Sequence, residues 1–574
     1  MFKLLKYMTG KEWLQFCLII VFVACDAFFT IQLPESMAQV IFMVRTSAPI
    51  SEIAIEGLIM LAYAFGSLLS VVLAGYFSAR VSAKLCQTIR ANLYTKVGNL
   101  SMNEINKFST ASLITRSTND ITQLQQTYAI SFRLLFTAPI LAIFAIIKIV
   151  GKSWQLSLTT AGFILLLTAL FIGIMFFVFP KFKVMQKRVD NLNLQTRENL
   201  TGIKVIRAYN AQEKQAKKFE KANKDFYDIN IFLNKTMAVL SPFMGLIMNG
   251  LSLTLVWLSA YLIGQGSLFV EDMMEFTQYS TILMTSITML SMMFLILPRA
   301  NVCAKRVREV LECESSIIDG TKTDVKDIGT IEFKDVSFAY PEASEEALTN
   351  INFKLEKGKT LAIIGSTGSG KSTILNLIMR FYDATSGEIL IDGTNIKDIK
   401  LESLYNKIGY APQKSAIFSG TVKQNIGYGM DETEHEQDVQ KALQVSQSKE
   451  FVDKLENGID SQISQGGNNV SGGQKQRITI ARALARNNEF LLLDDSLSAL
   501  DFLTDKKLRK ELNKEYKDTT KIIVAQRVGS IMDADNIIVL DNGKIVGQGK
   551  HSDLLSSCQI YREIAYSQLN KEEL

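Results

Sequence analysis

Apolar and polar positions along this chain follow two different rhythms. In the first 300 residues they come in long blocks. Six apolar stretches occupy residues 13–33, 53–77, 129–150, 154–179, 237–263 and 276–297. Each reaches the roughly 20 residues that a helix needs to cross a bilayer. The first is too long for a secretory signal and lacks a small-residue cleavage site, so it reads as a retained span. The polar connections 79–128 and 181–236 contain few Gly or Pro, and apolar residues recur among their charges. Both are expected to be helical hairpins that leave the membrane at about 1.5 Å per residue. After about Ser316 the rhythm shortens. A polar segment, 318–329, precedes strand-like runs at 331–333, 353–355 and 361–364, and from there strands and helices alternate as in an α/β domain. The expected architecture is therefore a membrane all-α domain of six spans (1–315), a linker (316–328) and an α/β domain (329–574).

The net charge of +5 is small for 574 residues and gives no reason to expect nucleic-acid binding. Where the positive charges lie says more. Lys3, Lys6 and Lys11 precede the first span; residues 34–52 hold only Arg45; residues 79–128 hold six basic residues. Lys152 stands alone between the third and fourth spans, residues 181–236 hold thirteen basic residues, residues 265–275 hold none, and Arg299, Lys305, Arg306 and Arg308 follow the sixth span. Basic and non-basic connections alternate, which places both termini on the cytoplasmic side of a multi-pass membrane protein. The six cysteines (17, 25, 86, 303, 313 and 558) show no metal-binding spacing, and the only histidines are His435 and His551, so no His/Cys metal site is expected.

Three motifs carry chemistry. GSTGSGKST comprises Gly365, Ser366, Thr367, Gly368, Ser369, Gly370, Lys371, Ser372 and Thr373, with a strand-like run before it and a helical pattern after it. This is the P-loop pattern in its proper context: glycines turn backbone N–H groups toward phosphate oxygens, Lys371 reaches the β- and γ-phosphates and Ser372 binds Mg²⁺. FLLLDD (490–495) is an apolar strand ending in two acids, with Asp494 directed at the Mg²⁺. NVSGGQKQR (469–477) starts a helix: Ser471 is a good N-cap, Gln474 completes a capping box, and the helix 472–486 points its free N–H groups at an anion. Ser471 lies 100 residues after Lys371 and 23 before Asp494.

With these motifs in order, the whole chain resembles a half-transporter of the ABC exporter family, type IV fold: six spans followed by one ABC ATPase domain. SGGQ (Ser471, Gly472, Gly473, Gln474) resembles the family signature, which acts in trans across a head-to-tail ATPase dimer. The resemblance implies that Tyr340 in FAYPEA stacks on adenine and that Gln413 in APQ contacts Mg²⁺. It makes Asp501 in SALD part of the loop joining the two sites, and residues 108–120 and 200–210 coupling segments. ATP and Mg²⁺ are the implied cofactors, and the bacterial plasma membrane the implied location.

The chain departs from that family pattern at chemically important positions. Asp495 stands where the family has the Glu that activates water; its side chain is one methylene shorter, about 1.5 Å. A misplacement of about 1 Å can cost on the order of a hundredfold in rate. Gln526, in VAQR, stands where the family has its switch histidine, and an amide cannot carry an imidazolium charge. The loop before the signature reads ISQGG (463–467), with Gln465 where many exporters have an acid. This pattern resembles the degenerate subunit of bacterial heterodimeric multidrug exporters. It implies that Asp495 and Gln526 form a degenerate catalytic pair and that the partner is a second ABC half-transporter with an intact Glu and His. The chain's own signature would complete that partner's site. Two alternatives stay open: a homodimeric lipid flippase that tolerates Asp495, and an ATP-gated channel.

No extra peptidase domain is expected ahead of Trp13, which argues against a leader-cleaving peptide exporter. The expected cargo is lipophilic or amphipathic: drugs or membrane lipid. Methionines gather in the sixth span (Met284, Met289, Met292, Met293, beside Phe294) and the fifth (Met237, Met244, Met248). Flexible thioethers suit a surface that repacks around varied ligands, with Met289 and Met293 as candidates, although ordinary core or lipid-facing packing explains methionine as well. Asp26, inside the first span, is a third candidate; it either recognises a cationic compound or hydrogen-bonds to a neighbouring helix.

Overall fold

The computed structural model describes residues 1–323, 326–341, 343–430 and 436–568, except for the side chains of Phe179, Phe294 and Leu295. His435 and the side chain of Phe294 therefore lie outside the described residues. The chain forms two compact units: Met1–Gly98 with Ala111–Glu312, and Asn99–Thr110 with the residues from Cys313 onward.

The first unit is built of six helices long and apolar enough to cross a membrane: Gly10–Arg45, Ile50–Gly98, Thr110–Val150, Trp154–Thr201, Gln212–Gly264 and Val270–Leu311. The first runs past its expected end. Pro34 lies inside it, buried, and removes one backbone hydrogen bond without stopping the helix. The ten residues after Glu35 contain no Gly, and the chain turns only at Ser47 (φ 56°) and Pro49. Ion pairs join the helices at this end. Lys148 reaches Glu35 at 2.6 Å, Arg45 reaches Glu271 at 2.6 Å, and Lys152 contacts Asp272 at 3.3 Å and also Glu275. Deeper in, Ala27, Ile31, Leu141, Leu251, Tyr279 and Met284 belong to one buried cluster, and Tyr279 Oη donates to the carbonyl of Ile31 at 3.2 Å.

The two basic connections are helical apart from their tips, as their polarity pattern predicts, because the spans continue into them. At the first tip a short helix, Met102–Phe108, follows Ser101, and Ser109 (φ 60°) turns the chain back. Residues 108–120 are thus mostly the start of the returning helix, Thr110–Thr115 followed by the π-turn Arg116–Asp120, and the tip itself falls about ten residues earlier than the coupling segment expected from sequence. At the second tip Gly202 breaks the helix, Ile203–Ala208 makes one more turn, and Asn210 (φ 49°) reverses direction.

The second unit contains twelve strands among the described residues. They are β1 (Ile331–Phe338), β2 (Leu348–Leu355), β3 (Thr360–Gly365), β4 (Ser386–Ile391), β5 (Thr394–Asn395) and β6 (Ile408–Ala411), then β7 (Gly420–Thr421), β8 (Gln462–Ile463), β9 (Phe490–Asp494), β10 (Thr520–Val524), β11 (Asn536–Asp541) and β12 (Lys544–Gly549). A four-stranded antiparallel sheet runs β2-β1-β4-β5, a six-stranded sheet runs β12-β11-β3-β10-β9-β6, and β7 pairs with β8. In the six-stranded sheet all neighbours are parallel except the β11–β12 edge. β9 and β10 are buried along their whole length, which explains their unbroken apolar runs. Val524 lies opposite Ile363 on one side and Asp494 on the other, so the C-terminal ends of β3, β10 and β9 finish level. Loops leaving that edge are where α/β sheets place their ligands.

Candidate nucleotide-binding site

The P-loop leaves β3 at Gly365 and enters the helix Lys371–Ile378. Glycine at two of its positions is dictated by geometry. A Cβ on Gly365 would lie 2.1 Å from the carbonyl oxygen of Leu540 in β11. Gly370 takes φ 97°, and a Cβ there would lie 2.7 Å from the carbonyl of Ala347. Lys371 Nζ donates to the loop's own carbonyls, Gly365 at 2.9 Å and Ser366 at 2.6 Å, and Ser372 Oγ donates to Asp494 Oδ1 at 2.8 Å.

Around this loop lies a cleft of about 450 Å³ lined by Tyr340, Thr367, Gly368, Gly370, Lys371, Ser372, Thr373, Gln413, Asp494, Asp495 and Gln526. Residues far apart in sequence meet here because β3, β6, β9 and β10 all end at the same edge. Tyr340 Oη hydrogen-bonds with Thr373 Oγ1 at 3.1 Å, and its ring stands edge-on to Tyr382, centroids 5.2 Å apart. Asp495 sits in a left-handed backbone conformation (φ 49°), which Asp tolerates better than most residues, and its N–H donates to Val524 O at 3.0 Å. Two amides converge on one carboxylate oxygen: Gln526 Nε2 donates to Asp495 Oδ2 at 2.8 Å, and Gln413 Nε2 to the same atom at 3.4 Å.

Burial raises both Asp494 and Asp495 from the ordinary aspartate value, and the neighbouring Asp495 charge adds to the rise at Asp494. Burial likewise draws the Lys371 ammonium below lysine's ordinary value. Two buried polar atoms, Ser369 Oγ and Asp495 Oδ1, have no hydrogen-bond partner among the described residues. Buried polar groups are normally satisfied, so these two are suited to atoms brought by a ligand. A glycine-rich loop, a lysine, an adjacent Ser–Asp pair, an unpartnered hydroxyl able to donate and an unpartnered carboxylate oxygen fit a nucleoside triphosphate with Mg²⁺.

The signature forms the expected helix start. Ser471 N donates to Gln474 Oε1 at 2.8 Å and Gln474 N to Ser471 Oγ at 3.3 Å, closing the capping box, and the helix runs Gly472–Ala485. Ser471 and Gly472 are exposed, and none of Ser471, Gly472, Gly473 or Gln474 lines the cleft around the chain's own P-loop. Asp501 caps the helix Phe502–Glu515 by accepting from Thr504 N at 3.0 Å, and is likewise outside that cleft. Gln465 lies in a short 3₁₀ turn, with Gly466 at φ 69°.

Sequence reasoning missed two residues around this site. Gln568, in the C-terminal helix Gln559–Gln568, brackets the Gln526 loop: its Nε2 donates to Gln526 O and its Oε1 accepts from Val528 N, both at 2.8 Å. Nothing in its local pattern signals this, because the contact spans 42 residues. Tyr382 backs Tyr340 and accepts at 3.1 Å from Asn106 Nδ2 on the short helix Met102–Phe108. Among the membrane candidates, Asp26 accepts from Ser67 Oγ at 2.7 Å. Met289 is half-buried, whereas Met293 is only 4% exposed.

The strand order, the P-loop after β3 and the cleft at the strand ends define a P-loop ATPase domain behind a helical membrane domain. The chain matches the ABC transporter transmembrane region over residues 14–287 and the ABC transporter family over residues 348–498. It is 38% identical over 522 residues to the Bacillus subtilis protein named "Uncharacterized ABC transporter ATP-binding protein YfiB", covering 90% of this chain and 89% of that one. It is 31% identical over 493 residues to an "ATP-dependent lipid A-core flippase" of Pseudomonas fluorescens, covering 86% of this chain and 82% of the flippase. The fold superposes on a bacterial Atm1-family ABC exporter solved with ATP bound, with a TM-score of 0.82 at 24% identity, covering 96% of this chain and 98% of that one. The chain belongs to the ABC transporter family, as an exporter-type half-transporter with its membrane and ATP-binding domains in one polypeptide.

Proposed function

We propose that this chain is one subunit of a heterodimeric exporter that moves lipophilic or amphipathic compounds out of the cytoplasm or inner leaflet across a bacterial plasma membrane. Its own site holds ATP and hydrolyses it slowly. In this reading the domains divide at residues 1–315 and 329–574, and both termini are cytoplasmic. Tyr340 stacks on adenine, the N–H groups of Gly365–Thr373 and Lys371 hold the phosphates, and Ser372, Asp494 and Gln413 hold Mg²⁺. The metal supplies neutralising charge on the β- and γ-phosphates.

The observation that carries the reading is the environment of Asp495. Its Oδ2 is already engaged by Gln526 at 2.8 Å and Gln413 at 3.4 Å, leaving only Oδ1 to orient a water. That remaining oxygen sits on a side chain one methylene short, and Gln526 brings no positive charge to the γ-phosphate. Every ATP-holding motif is kept, while the two groups that drive hydrolysis are changed. The exposed Ser471 and Gly472, outside the chain's own cleft, are free to complete a partner's site.

Two outcomes test this. The chain purified alone should turn over ATP far below roughly ten per second, an ordinary enzyme rate. In the assembled pair, Asp495→Ala should lower turnover by less than about threefold, whereas removing the partner's corresponding Glu should abolish it. Equal losses from the two substitutions would make the sites equivalent. The second reading, a homodimeric lipid flippase, is favoured by the likeness to the lipid A-core flippase; vigorous hydrolysis by this chain alone would select it.

A further inference from the structure

Asp26 stands 16 residues from the start and 19 from the end of the helix Gly10–Arg45, inside the apolar stretch. A carboxylate at that depth is costly and needs compensation. The compensation within the chain is partial. Ser67 Oγ, on the helix Ile50–Gly98, donates to Asp26 Oδ1 at 2.7 Å, and Thr30 Oγ1 approaches the same oxygen at 3.4 Å. Both hydroxyls serve Oδ1, and among the described residues no donor reaches Oδ2 and no ion pair reaches the carboxylate. Arg133, on Thr110–Val150, acts on it only at longer range. If Asp26 served only to bond two helices, a neutral side chain would do so without burying a charge.

The rings around it supply the second observation. Phe22 and Phe29 lie four residues before and three after Asp26, on the same helix face. Phe22 stacks on Phe77 (centroids 5.9 Å, 7° between planes), and Phe29 lies 6.3 Å from Tyr63. The second helix makes room with Gly66, where a Cβ would come 2.9 Å from the Phe29 ring. A half-buried carboxylate with one open oxygen thus lies between two pairs of aromatic rings along one helix seam. Aromatic faces and a desolvated carboxylate both favour a large, weakly hydrated cation.

We propose that this seam, at Asp26, Thr30, Ser67 and the flanking Phe22 and Phe29, binds the cationic centre of a lipophilic ammonium or phosphonium substrate. The inference rests on the reading of the chain as an exporter of lipophilic compounds and narrows it to cations.

The test is equilibrium binding of tetraphenylphosphonium and of the neutral lipophile N-phenylnaphthylamine to the assembled transporter in lipid nanodiscs. Asp26→Asn should weaken phosphonium binding by about tenfold or more, while binding of the neutral probe changes by less than about twofold. Asp26→Glu should restore most of the loss. Phe29→Leu, which keeps the charge and an apolar side chain, should weaken the phosphonium selectively and carries the test if Asp26→Asn fails to assemble. Unchanged phosphonium binding in Asp26→Asn, or in Phe29→Leu where that variant carries the test, overturns the inference. Binding of the neutral probe but not the phosphonium by the unaltered transporter overturns it and leaves the exporter reading standing; binding of neither probe overturns both.

Discussion

Gly473→Glu should collapse ATP turnover by the assembled pair, by about a hundredfold or more, while ATP stays bound at this chain's own P-loop. The argument begins with what the substitution does not do. A Cβ at Gly473 meets only the carbonyl of Ala499, at 3.4 Å, an ordinary contact, so this chain should fold as before. The position opens the helix Gly472–Ala485, whose free N–H groups favour an anion. A carboxylate there adds negative charge and bulk where a partner's γ-phosphate would approach. Turnover and retained nucleotide, measured on the same preparation, separate the possibilities. Near-normal turnover with loss of ATP from the chain's own site would mean that the signature acts in cis.

Gly365→Ala should do the opposite: abolish nucleotide retention at this chain's own P-loop and lower stability by more than about 2 kcal/mol. The added methyl would overlap the Leu540 carbonyl at 2.1 Å, and Leu540 is the strand partner of Gly365 in the β11–β3 ladder. Backbone cannot swing away as a side chain can, so β3 or β11 must shift and the phosphate loop shifts with it. Thermal unfolding of the full chain and nucleotide counting check both parts. Retained ATP with an unchanged unfolding temperature would show that the loop is looser than these contacts imply.

Much of the fold was legible because its signals are local. Twenty apolar residues in a row have few soluble explanations, and GSTGSGKST between a strand and a helix has fewer still. The capping box at Ser471 and Gln474 formed as the spacing required, because it involves neighbours only. What stayed hidden depends on residues distant in sequence. The loop expected after Pro34 became helix because the residues beyond the proline are good helix formers and only Ser47 and Pro49 end it. The convergence of Gln526 and Gln413 on a single oxygen of Asp495 arises from the order of strands in the sheet, which no local pattern encodes. Gln568 was invisible for the same reason. Met293 and Met289, four residues apart on one helix face, differ only in burial, which depends on what packs at each level of the bundle and not on local pattern.

The long membrane helices also have a mechanical consequence. Helices of 49, 48 and 53 residues are levers of about 72 to 80 Å. With about 30 Å inside the bilayer, some 40–50 Å projects beyond it. A rotation of about 5° within the membrane would then sweep a tip through about 4 Å. The two hairpins are not equally stiff. Pro180 lies 26 residues into Trp154–Thr201 and Pro242 lies 22 residues before the end of Gln212–Gly264, so both fall about 33–39 Å from the same end of that hairpin. Each removes a backbone hydrogen bond at nearly the same height, close to where the helices leave the hydrocarbon. The helix Ile50–Gly98 has no such weak point. The first hairpin is interrupted in its returning arm alone, by Pro139 and the π-turn Arg116–Asp120, whereas the second has a proline in both arms at nearly one height, so the same small rotation reaches the two tips as different movements.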